Sequence, residues 1–166
     1  MRPSIIRAVA CAALPIAAFT AAPSQAADPK QAVPYYASIS AARARMRTGP
    51  ARTYPASWLY QRPDLPVRVV AVFREWRKVE DPDGTQGWMQ GNLVSSARTA
   101  IVHAAQPVAM RERPETGARM MWHAAPGVVG RISRCGNGWC RFDVKGQAGF
   151  VETGELWGVD QREVLP

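Results

Sequence analysis

Trp76-Arg77-Lys78-Val79-Glu80-Asp81-Pro82-Asp83-Gly84-Thr85-Gln86-Gly87-Trp88-Met89 reads as a strand, a turn and a second strand. Trp76 to Glu80 alternates, and in an extended chain successive side chains point to opposite faces. In Asp81-Pro82-Asp83-Gly84 the proline presets one φ and the glycine accepts the positive φ that ends a turn. Gly87-Trp88-Met89 then resumes an extended run. Further back, Pro66 to Phe73 is rich in β-branched residues and bounded by Pro66 and a charged turn. Ala42 to Arg47 alternates strictly, with Arg43, Arg45 and Arg47 on one face and Ala42, Ala44 and Met46 on the other. Beyond the first 26 residues no segment has helical periodicity. The 14 prolines and 13 glycines favour short strands joined by turns.

The same plan recurs further along the chain. Ala44-Arg45-Met46-Arg47-Thr48-Gly49-Pro50 matches Val108-Ala109-Met110-Arg111-Glu112-Arg113-Pro114 at an offset of 64 residues. Trp76 to Val79 matches Trp139 to Phe142, Gly87-Trp88-Met89 matches Gly149-Phe150-Val151, and Asn92-Leu93 matches Glu155-Leu156. The order is kept and the small drift in offset falls in loops. Two copies of a unit of about 60 residues account for this, and recurring aromatics such as Trp76, Trp88, Trp139 and Phe150 are expected in the cores. Thr99 to Val102 reads as a short strand between the copies. Ala104-Ala105-Gln106-Pro107 reads as the junction, too short to be a free tether, so the two units are expected to touch.

The chain begins as an exported protein does. Arg2 and Arg7 precede an apolar stretch from Ala8 to Ala22, and Ser24-Gln25-Ala26 offers small residues for cleavage. The stretch is shorter than the roughly 20 residues that cross a bilayer, so no membrane insertion is expected after cleavage. Cleavage also removes Cys11. It leaves Cys135 and Cys140, an even pair that in an oxidising compartment forms a disulfide most simply. Without Arg2 and Arg7 the 21 basic residues become 19, against 13 acidic ones. Residues 27–104 hold 11 basic and 6 acidic side chains, and residues 105–166 hold 8 and 7. Export removes nucleic acid as a partner, so the basic first half suits envelope anions or an acidic protein surface, or serves solubility alone.

Together Met46-Arg47-x-Gly49-Pro50, Tyr54-Pro55, Gln61-Arg62, Leu65-Pro66-Val67, Trp76 to Val79 and Asp81 to Trp88 resemble the bacterial SH3-like repeat. Pro126 to Gly130, Cys135-x4-Cys140, Gly149-Phe150 and Leu156-Trp157-Gly158-Val159 extend the resemblance through the second half. It covers nearly all of Tyr35 to Val159 and is similar to exported alphaproteobacterial proteins with two such repeats. The resemblance implies an all-β fold of two tandem small SH3-like β-barrels, each with five or so strands. The expected division is a signal at 1–26, a linker at 27–34, a first domain at 35–104, a second at 105–160 and a tail at 161–166. A unit this small buries only about 60% of its unfolded surface, so contact between copies and the Cys135–Cys140 link are expected to stabilise it.

The resemblance also implies a shallow groove lined by the first long loop and the turn after it. Its positions would be filled by Tyr54, Trp58, Tyr60, Trp76 and Trp88, and the ligand-binding candidates are Tyr54, Trp58 and Tyr60, with Arg43, Arg45, Arg47 and Arg52 nearby. Aromatic faces suit sugar rings and peptide backbones, and guanidinium forks pair with carboxylates or phosphates. Catalysis is not expected. His103 and His123 have no metal-ligand spacing around them, and no cofactor or metal is expected. His123 follows Met120-Met121-Trp122, a stretch that reads as strand core. Cys135-x4-Cys140 has a wider spacing than redox pairs usually show, though an oxidoreductase reading stays open. Proline-rich peptide recognition needs an acidic first loop, and here that region is basic. The expected function is therefore a non-catalytic periplasmic or secreted protein that binds a cell-wall polymer, peptidoglycan foremost. The rival is an adaptor that docks a periplasmic protein such as an envelope enzyme.

Overall fold

The computed structural model describes residues 32–166, so the expected signal (1–26) and the start of the linker (27–31) lie outside the described residues. Seven strands build the first repeat: β1 (Tyr35–Ile39), β2 (Ala44–Arg47), β3 (Ala56–Tyr60), β4 (Pro66–Phe73), β5 (Trp76–Glu80), β6 (Gln86–Gln90) and β7 (Val94–Ser95). Seven more build the second: β8 (Thr99–Val102), β9 (Val108–Arg111), β10 (Met120–Ala124), β11 (Val129–Gly136), β12 (Trp139–Val144), β13 (Gln147–Glu152) and β14 (Leu156–Trp157). The sheets have the same order, β3-β2-β6-β5-β4-β1-β7 and β10-β9-β13-β12-β11-β8-β14. Among the described residues the only helical turns are 3-10 turns at Gly91–Leu93 and Thr153–Glu155, at matching places in the two copies.

Each sheet has seven strands rather than five or so, because the two-residue strands β7 and β14 and the edge strands β3 and β10 extend it. β3 lies in a stretch with no readable alternation. As an edge strand it leaves Ala56 to Leu59 exposed. β8 pairs with β11 and β14, so Thr99–Val102 opens the second repeat instead of standing between the two. The boundary falls between Ser95 and Thr99, ahead of the expected junction at residues 104–107.

Two separate cores form. Ile39, Met46, Val67, Val69, Val79 and Met89 fill the first, and Met110, Ile132, Cys140, Phe142, Val151 and Leu156 belong to the second. Gly87 and Gly149 face inward at equivalent positions, where a Cβ would lie 2.4 Å from Met46 Cγ and 2.8 Å from Met110 Cβ respectively. With period two, their neighbours Trp88 and Phe150 point outward and are only half-buried. Trp76 is closed from solvent and Trp139 half-buried, yet neither joins its repeat's core. Of these four expected core aromatics Trp76 is buried, though outside the main cluster, while strand parity leaves Trp88, Trp139 and Phe150 half-buried on the outer face. The Cys135–Cys140 disulfide is present, with both residues buried in the second core.

The repeats touch, as expected. Ser38 Oγ donates to the Ala97 carbonyl at 2.5 Å and lies 2.6 Å from the buried Thr99 Oγ1. A hydroxyl has one proton, so Thr99 donates to Ser38. The rings of Tyr36 and Trp157 meet in a T-shaped arrangement with centroids 5.4 Å apart. Arg98 lies over Tyr36, donates to the Gly158 carbonyl at 2.8 Å and pairs with Glu163. The expected tail at 161–166 is therefore part of the structure. Leu165 N–H donates to Cys135 O at 3.1 Å and Arg134 N–H to Pro166 O at 2.9 Å, satisfying backbone groups at the disulfide turn.

Candidate functional site

The β2–β3 hairpin decides where the candidate residues point. Met46 pairs with Trp58, Ala44 with Tyr60 and Arg45 with Leu59. Directly opposed residues of an antiparallel pair share a face. Trp58 and Tyr60 thus lie on the side of Ala44 and Met46, while Arg45 and Leu59 lie on the other. The expected cluster of aromatics and arginines is divided between two faces of one hairpin.

On the first face Tyr60 is buried at 7% exposure. Its hydroxyl donates to Asp81 Oδ2 at 2.8 Å, and Asp81 Oδ1 accepts the N–H groups of Asp83 at 3.1 Å and Thr85 at 2.8 Å. Burial, reinforced by the hydrogen bond to the Asp81 carboxylate, raises the Tyr60 pKa far above its ordinary 10.0. Tyr60 is therefore a structural link between β3 and the β5–β6 turn, not an open platform as expected. Trp58 is the open one, at 57% exposure. Beside it a groove of about 710 Å³ runs between the repeats, lined by Trp58, Asp83 and Thr85 from the first and by Ile101, His103 and Pro126 from the second. Arg62 crosses it by donating to the Gly127 carbonyl at 2.8 Å.

Trp58 has a counterpart. Trp122 pairs with Met110 as Trp58 pairs with Met46, and it is 42% exposed on the outer edge strand of the second sheet. Met120 and Met121 beside it are exposed as well, so this stretch is a strand but not core. An edge strand has one neighbour only, and nothing is packed over these side chains. His123 and His103 are both exposed.

On the opposite face Arg43, Arg45 and Arg47 line a pocket of about 310 Å³ with Leu59, Trp76, Gln90 and Leu93. Arg47 also donates to the Tyr54 carbonyl at 2.6 Å. The Tyr54 ring lies against Gly49, where a Cβ would be 2.6 Å from it, and remains 46% exposed. Arg52 is exposed in the same loop and joins neither the groove nor this pocket. Among the described residues no three His, Cys, Asp or Glu side chains gather as a metal site.

Trp76 beside the arginines is as expected for the groove, whereas sequence reasoning missed Asp81 as a buried acceptor and Trp122 as the equivalent of Trp58. The last was within reach, because the offset of 64 residues that aligns Met46 with Met110 also carries Trp58 onto Trp122.

Two seven-stranded antiparallel units with one strand order, placed in tandem, define a duplicated SH3-like β protein. The family model for the bacterial SH3 domain matches twice, over residues 40–96 and 104–158, and the chain belongs to that family. None of the curated proteins matches the chain. Among solved structures, NlpC1 from Trichomonas vaginalis is similar at 8% identity and a TM-score of 0.36, over 78% of this chain and 47% of its own. NlpC2 from Trichomonas vaginalis is similar at 9% identity and a TM-score of 0.35, over 75% of this chain and 48% of its own. The chain thus spans about half the length of these two structures.

Proposed function

We propose that the protein is a non-catalytic binding module of the periplasm, or a secreted one, whose ligand is peptidoglycan. The observation that carries this reading is the pair Trp58 and Trp122, exposed at equivalent places in both repeats. An exposed tryptophan offers a flat apolar face for a sugar ring or a peptide backbone. One that recurs on both outer edge strands, where nothing packs on it, supports two points of contact with a repeating polymer. The groove beside Trp58 adds polar groups, Asp83, Thr85 and His103, for a glycan's hydroxyls and a peptide's amides. Membership of the bacterial SH3 domain family agrees with a binding role.

Co-sedimentation with purified sacculi tests the proposal. The protein should enter the pellet, and Trp58→Ala with Trp122→Ala should leave it in solution while its melting temperature holds. Equal pelleting of the double variant would refute the assignment. The exposed run Met120-Met121-Trp122 supports a second reading, an adaptor that docks a periplasmic protein on β10. Crosslinking in cells followed by mass spectrometry separates the two, since an adaptor yields one stoichiometric protein partner.

A further inference from the structure

The arginine pocket of the first repeat has a counterpart in the second, and the two differ in charge. The ladders set the equivalence: Arg47 pairs with Trp88 as Arg111 pairs with Phe150, and Trp76 pairs with Gln90 as Trp139 pairs with Glu152. The second pocket, about 410 Å³, is lined by Pro107, Ala109, Arg111, Trp139, Glu152 and Glu155 among others. Pro107 and Ala109 thus stand where the first repeat has Arg43 and Arg45, and Glu152 and Glu155 where it has Gln90 and Leu93. The corresponding 3-10 turns Gly91–Leu93 and Thr153–Glu155 correct by one residue the match of Leu93 with Leu156 read from the sequence. One scaffold holds three arginines and no carboxylate in one copy, and one arginine with two carboxylates in the other.

We propose that the Arg43–Arg45–Arg47 pocket is a binding site for a phosphoryl group carrying two or more negative charges, and that the second repeat lacks this site. Three guanidinium groups at alternate positions, Arg43 just ahead of β2 and Arg45 and Arg47 on it, repel one another, and a multiply charged oxyanion relieves that repulsion. Neither Arg43 nor Arg45 pairs with a carboxylate among the described residues, whereas Arg68, Arg98, Arg113, Arg119 and Arg141 all do. Guanidinium forks match phosphate oxygens two at a time, and a phosphate monoester or diphosphate matches the summed charge better than a single carboxylate does. Trp76, buried against the pocket, gives it a rigid apolar wall. The site is separate from the proposed peptidoglycan contacts, because Arg45 and Trp58 lie on opposite faces of the hairpin.

The test is an NMR titration of the 15N-labelled protein with pyrophosphate, read at the indole N–H of Trp76 and, as an internal reference, of Trp139. Trp76 should shift with a Kd below about 1 mM while Trp139 stays still. Arg45→Gln should weaken binding about tenfold or more. Leu93→Glu, which gives the first pocket the charge of the second without removing an arginine, should abolish it. Trp58→Ala should bind pyrophosphate as the parent does, so this site and the sacculus reading stand or fall separately. Flotation with phosphatidic acid vesicles, against phosphatidylcholine vesicles, then identifies the source. Capture by the former supports a lipid headgroup, and pyrophosphate binding alone supports a soluble phosphorylated ligand. No saturable shift at Trp76, equal shifts at Trp139, equally tight binding of acetate, or an unaffected Arg45→Gln variant would each overturn the proposal.

Discussion

The Tyr60 hydroxyl donates to the Asp81 carboxylate at 2.8 Å, with both residues buried and 21 positions apart in the chain. That bond ties the edge strand β3 to the turn after β5. The same carboxylate holds the turn by accepting two backbone N–H groups. One buried anion thus fixes the wall of the inter-repeat groove and the strand that presents Trp58.

Replacing Tyr60 by phenylalanine removes a hydrogen bond to a charged acceptor and leaves Asp81 Oδ2 without this donor, a loss of about 2 kcal/mol. In a chain of this size the melting temperature should fall by roughly 4–8 °C. The pH dependence carries a second signature. The folded-state pKa of Tyr60 is raised above its ordinary 10.0, mainly by burial and then by the bond to Asp81, so the folded protein keeps the proton longer than the unfolded chain does. Its contribution is fully present below pH 10 and is lost as pH rises beyond it. Urea denaturation should show stability falling less steeply above pH 10 in Tyr60→Phe than in the parent. Parallel slopes would contradict the buried pair.

Gly87 is required by sterics and not by its φ. A Cβ there would stand 2.4 Å from Met46 Cγ and 2.9 Å from the Arg47 carbonyl. The thioether end can swing aside, but the backbone oxygen cannot. Gly87→Ala should cost about 1–3 kcal/mol, as overpacked cores do. Trimming the methionine in Gly87→Ala with Met46→Ala should not restore stability, because the carbonyl contact remains. Thermal melts of the three variants decide this, and a full rescue would show that the side chain alone sets the limit.

The sheets were legible where local rules agree with the tertiary result. Ala44, Met46, Val67, Val69 and Val79 alternate because they face a core, and Pro82-Asp83-Gly84 turns because its φ preferences demand it. β3 and β10 were not legible as edge strands, since their outer positions are wet on both sides and carry no alternation. The candidate site was half legible for the same reason. Arg43, Arg45 and Arg47 gather on one pocket as the alternation implies, but the face of Trp58 and the burial of Tyr60 depend on pairing with β2 and on Asp81. Recurrence misled in one respect. Trp76 is buried as recurrence implied, but Trp88, Trp139 and Phe150 repeat because the outer face is built alike in both copies, not because they fill the cores.

If Trp58 and Trp122 act together on a repeating polymer, their effects should multiply when both are removed. Each single alanine variant should reduce the affinity for sacculi about tenfold, in the range of exposed aromatic hot spots. The double variant should lose more than the sum of the two single losses in affinity, because the second contact is made at the high effective concentration set by the first. Sedimentation isotherms across the four proteins measure this. If Trp122→Ala binds as the parent does, the second repeat is not a ligand platform and the first acts alone.

The Cys135–Cys140 disulfide closes the tip of the β11–β12 hairpin, and both residues sit in the second core at 4% and 0% exposure. Serine would bury two hydroxyls there, so alanine is the cleaner replacement. Cross-linking a loop this short restricts the unfolded chain by about 2 kcal/mol, so Cys135→Ala with Cys140→Ala should melt roughly 4–8 °C lower. A structural link and a redox pair make opposite forecasts for function. With a structural link, the double variant below its melting point should bind sacculi as the parent does. A redox pair would give the parent a thiol–disulfide exchange activity that the double variant lacks, and insulin reduction measures it directly. The burial of both sulfurs favours the structural outcome, since exchange needs a thiolate to reach the bond from solvent.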